Sequence, residues 1–534
     1  MRKSRFTAFV CTITIAISCV TGCGDFNFTE DDQYASDVAF ISMEEEPSLD
    51  YEVPKSIPHI LVDQLGYLPE ESKQVIFYGE ELPASFQIVD ADSDITVYFG
   101  SLDNQSFDEE RNTNVACGDF GDFTTEGEYY IRADKLGVSY HFEIRNGIYD
   151  DIFTQSCKTY YYNRCGITLT ETLAGEYAHN ACHTGNSVLR EDMNVNLDVT
   201  GGWHQDESGS KNVESASKTL ATMLLAYEIF PNAFSDNIGI PESDNQVPDI
   251  LDEARYEVDW LWKMQNPETG EVYSAVSVSD KESEGKNITS YVEMSTPESC
   301  RAFAFVMAKF GYLYQNFDKE YATLCLQAAD RAWKYAELND ENADSVILDD
   351  KAKAAQRFAA AAEIYRASGL EEYRKFVEEY LKQSNPQNAF DNEMEFYGAV
   401  TYINTKQPVD TEICGAIIKP ILKKAEDISA KARESKFLVP GNVEQSDNAE
   451  LLNQMIYMTL VDYIISNHEY DTIIENYLHY FLGRNHQSIT YMDNVGSHSY
   501  KDIHGSLGLM KQFDSDSKLI FMLSKVITGY QIKG

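Results

Sequence analysis

Between about Ile57 and Ile144 the apolar positions fall in short runs rich in Val, Ile, Tyr and Phe: HILVDQLGYLP, KQVIFYG, SFQIVDA, ITVYFG, GEYYIRAD and SYHFEIR. Glycine, proline and aspartate punctuate them at the spacing of a β-sandwich. Alternation is clearest in the last run, where Tyr140, Phe142 and Ile144 share one face. The pattern predicts a sandwich of about 90 residues over positions 56–145.

After Asn146-Gly147 the apolar period becomes helical and stays so to the C-terminus. SKTLATMLLAYEIF sets Leu220, Met223, Leu224 and Tyr227 on one side. PDILDEARYEVDWLWKMQ opens on Pro248-Asp249, a start signal. STPESCRAFAFVMAKFGYLY offers Thr296 as N-cap with Pro297 at the first helical position. DDKAKAAQRFAAAAEIYRASG ends at Gly369, a C′ glycine, and another helix follows at once. Helices joined by short loops predict an all-α domain of hairpins over 146–534; periodicity alone leaves open whether they close into a ring. No dinucleotide or P-loop fingerprint is present.

The N-terminus reads differently. Arg2, Lys3 and Arg5 precede an apolar run from about Phe6 to Val20, too short to span a bilayer and fitting a signal peptide over 1–22. It ends in Val20-Thr21-Gly22-Cys23, which resembles a bacterial lipobox, so Cys23 is the expected lipidation site and new N-terminus. Positions 23–55 are acidic, with Glu30-Asp31-Asp32 and Glu44-Glu45-Glu46, and read as a solvated tether. The mature chain is expected outside the cell membrane, attached to it through lipid only. With 534 residues, 43% hydrophobic and 24% charged, the chain is globular and long enough for several domains. Its formal net charge of −44 opposes nucleic acid and anionic headgroups, whereas a neutral polysaccharide meets no such repulsion. The cysteines are too few for a disulfide scaffold, and spacing does not pair Cys117, Cys157, Cys300, Cys325 or Cys414.

ILVDQLGYLPEESKQ, followed in order by YYYNRCG, AHNACHTG, LDVTGGWH, KTLATMLLAYEIFP, VPDILDEARYEVDWLWKMQ and YFLGRN, resembles glycoside hydrolase family 9, the cellulases that carry an N-terminal immunoglobulin-like module. The resemblance covers nearly everything after the tether. It implies an immunoglobulin-like β-sandwich followed by an (α/α)6 barrel of six hairpins, with a β-1,4-glucan lying in an open cleft at one end.

Cys165, Cys182, His183 and His204 form a Cys2His2 set whose donors suit tetrahedral zinc. Zinc-binding members of the family place ligands in the matching segments, which implies a closed, structural zinc site. His179 is a spare ligand candidate, and no calcium site is legible.

The resemblance also exposes a departure. An inverting glycosidase needs one carboxylic acid and one carboxylate base. The family's base motif, Gly-Gly-Trp-His/Xaa-Asp-Ala-Gly-Asp, stands here as Gly201-Gly202-Trp203-His204-Gln205-Asp206-Glu207-Ser208, so Gln205 and Ser208 occupy the two aspartate positions. Asp206 and Glu207 are displaced replacements at most. Towards the C-terminus His504 matches the family's sugar-binding histidine, Ser506 replaces its arginine, and Met510 falls at the acid's position. Gln445 replaces an aromatic sugar platform. The expectation is a cellulase-like protein that binds β-glucan or another neutral glycan without cleaving it. The alternative is an active endo-β-1,4-glucanase-type glycosidase with relocated carboxylates.

Overall fold

The structure, a computed structural model, describes residues 57–109, 111–206, 208–278, 290–340, 350–384, 390–440, 448–492, 494–499 and 513–531. Cys23 and the tether, Glu207, Gln445, His504, Ser506 and Met510 lie outside the described residues.

Nine strands build the N-terminal sandwich: β1 (Ile60–Leu61), β2 (Gly66–Tyr67), β3 (Gln74–Gly79), β4 (Ser85–Asp90), β5 (Ile95–Asp108), β6 (Thr113–Asp119), β7 (Gly127–Ala133), β8 (Gly137–Val138) and β9 (Phe142–Ile144). Hydrogen bonding runs in the order β1-β3-β6-β5-β4-β7-β9-β2, with β8 on β7. The long β5 belongs to both layers: Ile95–Ser101 pairs with β4 and Leu102–Asp108 with β6. Aromatic and β-branched side chains of alternating positions fill the space between, among them Phe77, Phe86, Ile88, Phe120, Ile131 and Phe142. Tyr140, Phe142 and Ile144 are all buried, as their alternation predicts. The opening run HILVDQLGYLP is not one strand. The Asp63 carboxylate accepts the N–H groups of Leu65 and Gly66, and Gly66 sits at φ +136°, so the chain turns between β1 and β2.

Twelve helices of eleven residues or more follow among the described residues: α1 (Asp150–Tyr162), α2 (Val213–Ile229), α3 (Asp249–Met264), α4 (Pro297–Tyr314), α5 (Lys319–Asn339), α6 (Lys351–Ser368), α7 (Glu371–Gln383), α8 (Glu393–Asn404), α9 (Thr411–Glu434), α10 (Asn448–Ile465), α11 (Asp471–Phe481) and α12 (Phe513–Gln531). The even-numbered helices touch in succession, and α12 packs back on α2, closing the ring that periodicity left open. Odd-numbered helices lie outside. This is the six-hairpin (α/α)6 barrel. Position in the ring explains composition: α2 buries Ser217, Thr219, Ala221 and Thr222 besides Leu220, Met223 and Leu224 of the apolar stripe read from sequence, whose Tyr227 is half-buried, because an inner helix meets neighbours on nearly every side. The outer α7 buries only Tyr373, Val377, Tyr380 and Leu381. Local signals hold where they were read: Thr296 and Ser299 form a reciprocal capping box at α4, and Gly369 ends α6 in the left-handed conformation.

Sandwich and barrel meet at a buried polar knot. His479 of α11 places Nδ1 2.9 Å from Asp63 and Nε2 2.8 Å from Glu71, two sandwich carboxylates, all three groups without solvent exposure. Tyr149 donates its hydroxyl to Glu71, and the Leu68 N–H does the same. No helix among the described residues is long and apolar enough to cross a membrane, and none of the described cysteines is in a disulfide.

Candidate active-site cleft and metal centre

Inner helices follow outer ones in strict alternation, so all six inner helices run the same way and their first turns share one mouth. The loop 199–212 feeds α2 at that mouth. Two glycines shape it: Gly201 at φ +96° and Gly202 at φ +71°, where a Cβ on Gly202 would meet Trp260 at 2.7 Å and Glu257 at 2.9 Å. Below them Trp203 is buried, its backbone N–H donating to Glu257 (2.6 Å) and its indole N–H to Glu253 (3.3 Å). Burial pushes the Glu257 carboxyl up to about 8 despite that N–H. Lys211 donates to the carbonyls of Val199 and Gly201 and braces the turn from the other side.

The same loop carries the metal candidates. Backbone bonds from Cys165 N–H to Gly202 C=O (2.7 Å) and from His204 N–H to Asn163 C=O (2.9 Å) zip segment 163–165 to segment 202–204. Arg164 is anchored beneath by Glu253 (2.7 Å) and Glu242 (2.9 Å). The donor atoms of Cys165, Cys182, His183 and His204 all lie within 4.8 Å of one another. Cys165 Sγ is 3.7 Å from His183 Nδ1, and Cys182 Sγ is 3.3 Å from His204 Nε2. Such sulfur–nitrogen separations are what one tetrahedral ion with bonds of about 2.3 and 2.0 Å imposes. The hydrogen bond between the two sulfurs pushes Cys182 down and Cys165 up. Gly209 packs against the His183 ring, where a Cβ would come within 2.4 Å. His179 stays outside, its Nδ1 on the carbonyl of Asn180.

At the two positions aligned with base aspartates the side chains are already engaged. The Gln205 amide donates to Asn212 C=O (3.0 Å) and accepts from Asn212 N–H (2.8 Å). Ser208 donates to Asp206 Oδ1 (2.6 Å) and shares a contact of 2.7 Å with the Ser210 hydroxyl. Asp206 itself is exposed, and its Oδ1 also takes the N–H groups of Ser208 and Ser210. It organises the loop in the manner of an Asx turn.

Residues 149–532 match the profile described as Glycosyl hydrolase family 9, and residues 55–138 match that of the Cellulase N-terminal ig-like domain. The chain belongs to glycosyl hydrolase family 9. Endoglucanase D of Acetivibrio thermocellus is 26% identical over 467 residues, covering 82% of this chain and 73% of that protein. Among solved structures, a metagenome-derived family 9 endoglucanase superposes with a TM-score of 0.76 at 23% identity, over 88% of this chain and 99% of that one. A Zn-binding triple mutant of the family 9 endoglucanase J30 gives 0.73 at 22%, over 86% and 99%. At these identities the structural likeness speaks for the fold.

In this family 9 chain two groups escaped sequence reasoning, one at the mouth and one around the start of the outer helix α3. Lys218 of α2 reaches Glu393 of α8 (3.8 Å) from the opposite side of the ring, and the buried Lys518 of α12 joins the same carboxylate at 3.3 Å. Lys518 also donates to Asn453 of α10 (2.6 Å). Lys353 of α6 pairs with Glu298 of α4. The contacts link residues up to 175 positions apart, so no local motif announces them. The second group is Asp236, Asp249 and Asp252, whose carboxylate oxygens lie within 4.8 Å of one another. Burial, followed by the neighbouring carboxylates Glu242, Asp249 and Asp236, raises Asp252 to about 7 against the hydrogen bond from Asn245. Clustered carboxylates of this kind suit a hard divalent cation.

Proposed function

We propose that this protein is a lipid-anchored surface member of family 9 that binds β-glucan or another neutral glycan without hydrolysing it. The observation that carries the reading is the Gln205 amide, locked to the Asn212 backbone through both its donor and its acceptor at the position where the family motif has an aspartate. An amide takes no proton from water near neutral pH, and Ser208 is held to Asp206. The acid position, Met510, is read from sequence alone. The family and its endoglucanase relatives support a β-glucan as ligand, and a net charge of −44 favours a neutral partner. Attachment through Cys23 and export rest on the signal-peptide and lipobox pattern.

Zinc is the metal we assign to Cys165, Cys182, His183 and His204. Two thiolates and two neutral imidazoles complete a tetrahedron with no open position, so the ion would brace the loop and take no part in bond cleavage.

Incubation of the protein with cello-oligosaccharides and mixed-linkage glucans is expected to release no reducing ends above the enzyme-free rate; sustained product formation would overturn the non-catalytic reading. Relocated carboxylates remain the second reading because Asp206 is exposed and uses only Oδ1 in the loop's bonds. Restoring aspartate in the double variant Gln205→Asp/Ser208→Asp is expected to leave turnover at least about 100-fold below that of an active relative, since loss of a general acid alone costs roughly 10²–10⁴-fold. Robust activity in that variant would show that an acid is present after all.

A further inference from the structure

A half-open pocket of about 110 Å³ lies between α8, α9 and α10, at the first turns of the two inner helices and therefore on the cleft side of the ring. Its floor is aromatic. Tyr457 and Phe396 are buried and stacked at 4.0 Å with 14° between planes, and the Lys424 ammonium sits 4.6 Å over the Tyr457 ring. Its walls are polar and present both hydrogen-bonding senses. Glu393 supplies carboxylate acceptors. Asn453 gives its oxygen to Lys518, while its amide NH2 has no hydrogen-bond partner among the described residues. Gln454 is fixed in place, donating to Glu450 and accepting from the Tyr477 hydroxyl.

The cations at this pocket are paired: Lys424 with Asp391 at 2.9 Å, and Lys518 and Lys218 with Glu393, while the exposed Glu450 at the rim accepts the Gln454 amide. An anion would thus find its counter-charge already taken. A neutral ring with hydroxyls on its rim, each able to donate and accept, matches an acceptor and a donor set around an apolar floor. The volume holds several waters, which such a ring would replace.

We infer that this pocket takes a single pyranose unit, held by Glu393 and Asn453 beside the stacked Tyr457–Phe396 pair, and anchors the glycan at the edge of the mouth. The inference rests on the glycan-binding reading above. It also explains why binding can survive loss of the carboxylates, because the pocket draws on α8 and α10 and not on the loop 199–212.

Calorimetric titration with cellotetraose tests it, using the wild type, Asn453→Ala and Glu393→Gln, each checked by its melting temperature. Asn453→Ala removes the amide together with its contact to Lys518, but keeps the Glu393 carboxylate and its ion pairs, so it stays informative if Glu393→Gln disturbs the fold. A tenfold or greater loss of affinity in Asn453→Ala with an unchanged melting temperature is the expected result. Wild-type affinity in both variants would overturn the pocket while leaving glycan binding standing. Absence of heat with cellotetraose and with mixed-linkage glucan, in the wild type itself, would remove the glycan reading and the pocket together.

Discussion

Replacing His479 by alanine is expected to destabilise the protein by about 3–5 kcal/mol, because it strands two buried carboxylates, Asp63 and Glu71, without their shared counter-charge. Burial alone would lower the imidazole's pKa. Glu71 and Asp63 outweigh that cost and raise it to about 9 from 6.5. The difference corresponds to roughly 3 kcal/mol in favour of the charged ring. A raised histidine stabilises the fold fully below its unfolded value, and the contribution fades as pH climbs through the folded one. The window is therefore pH 6.5 to 9. Asp63, which burial pushes up to about 6 against the pull of His479, is ionised through most of it and does not mask the effect. Scanning calorimetry across this window should show the gap between wild type and His479→Ala narrowing as pH rises. A gap that is constant from pH 6 to 9 would mean that the ring contributes through shape and not charge. The knot joins sandwich to barrel, so the variant is also expected to melt in two steps, with the sandwich first.

What the sequence made legible, and what it hid, follows from the range of the forces involved. Capping at Thr296 and the stop at Gly369 depend on neighbours a few positions away, and both are where local chemistry puts them. Strand alternation over Tyr140, Phe142 and Ile144 likewise needs only one buried face. The Asp63 turn was missed because a side chain capping its own backbone overrides the β propensity of its flanks. Ring closure was out of reach of periodicity, and only the family resemblance implied it. An inner helix packed on all sides and a surface helix can carry the same stripe, and only the contact of α12 with α2 separates them. At the candidate site the four metal donors were readable, since their segments match a known order. The Lys218–Glu393–Lys518 contacts and the pocket beside them were not, because they join four helices widely separated along the chain. Gln205 shows the intermediate case. Its identity as an amide was plain from the sequence, but only the paired bonds to Asn212 show the side chain turned inward to hold the loop.

Cys182→Ser is expected to abolish stoichiometric metal binding and lower the melting temperature by roughly 5–10 °C, on the scale of a loss of several kcal/mol. The size follows from what the four donors join. Cys165 ends the turn after α1, Cys182 and His183 belong to a loop with little regular structure, and His204 lies on the loop that enters α2. Without an ion, Cys182 and His183 are tied to the other donors by side-chain contacts such as Cys182 Sγ to His204 Nε2, the backbone bridge between Leu169 and His179 holding the loop only ahead of them. With one, two thiolates cancel the dication's charge, and the three segments become a single rigid body beneath the cleft. The Tyr256 hydroxyl bonds the Cys165 carbonyl at 2.5 Å and Gly209 backs the His183 ring, so the donors are held from outside as well. Metal analysis of the purified wild type should return one zinc per chain, and Cys182→Ser none. A strong chelator should lower the wild-type melting temperature to near that of the variant and leave the variant itself unmoved. Wild-type protein that carries no zinc and melts at the same temperature with and without chelator would show that the four side chains hold the loop by hydrogen bonds alone.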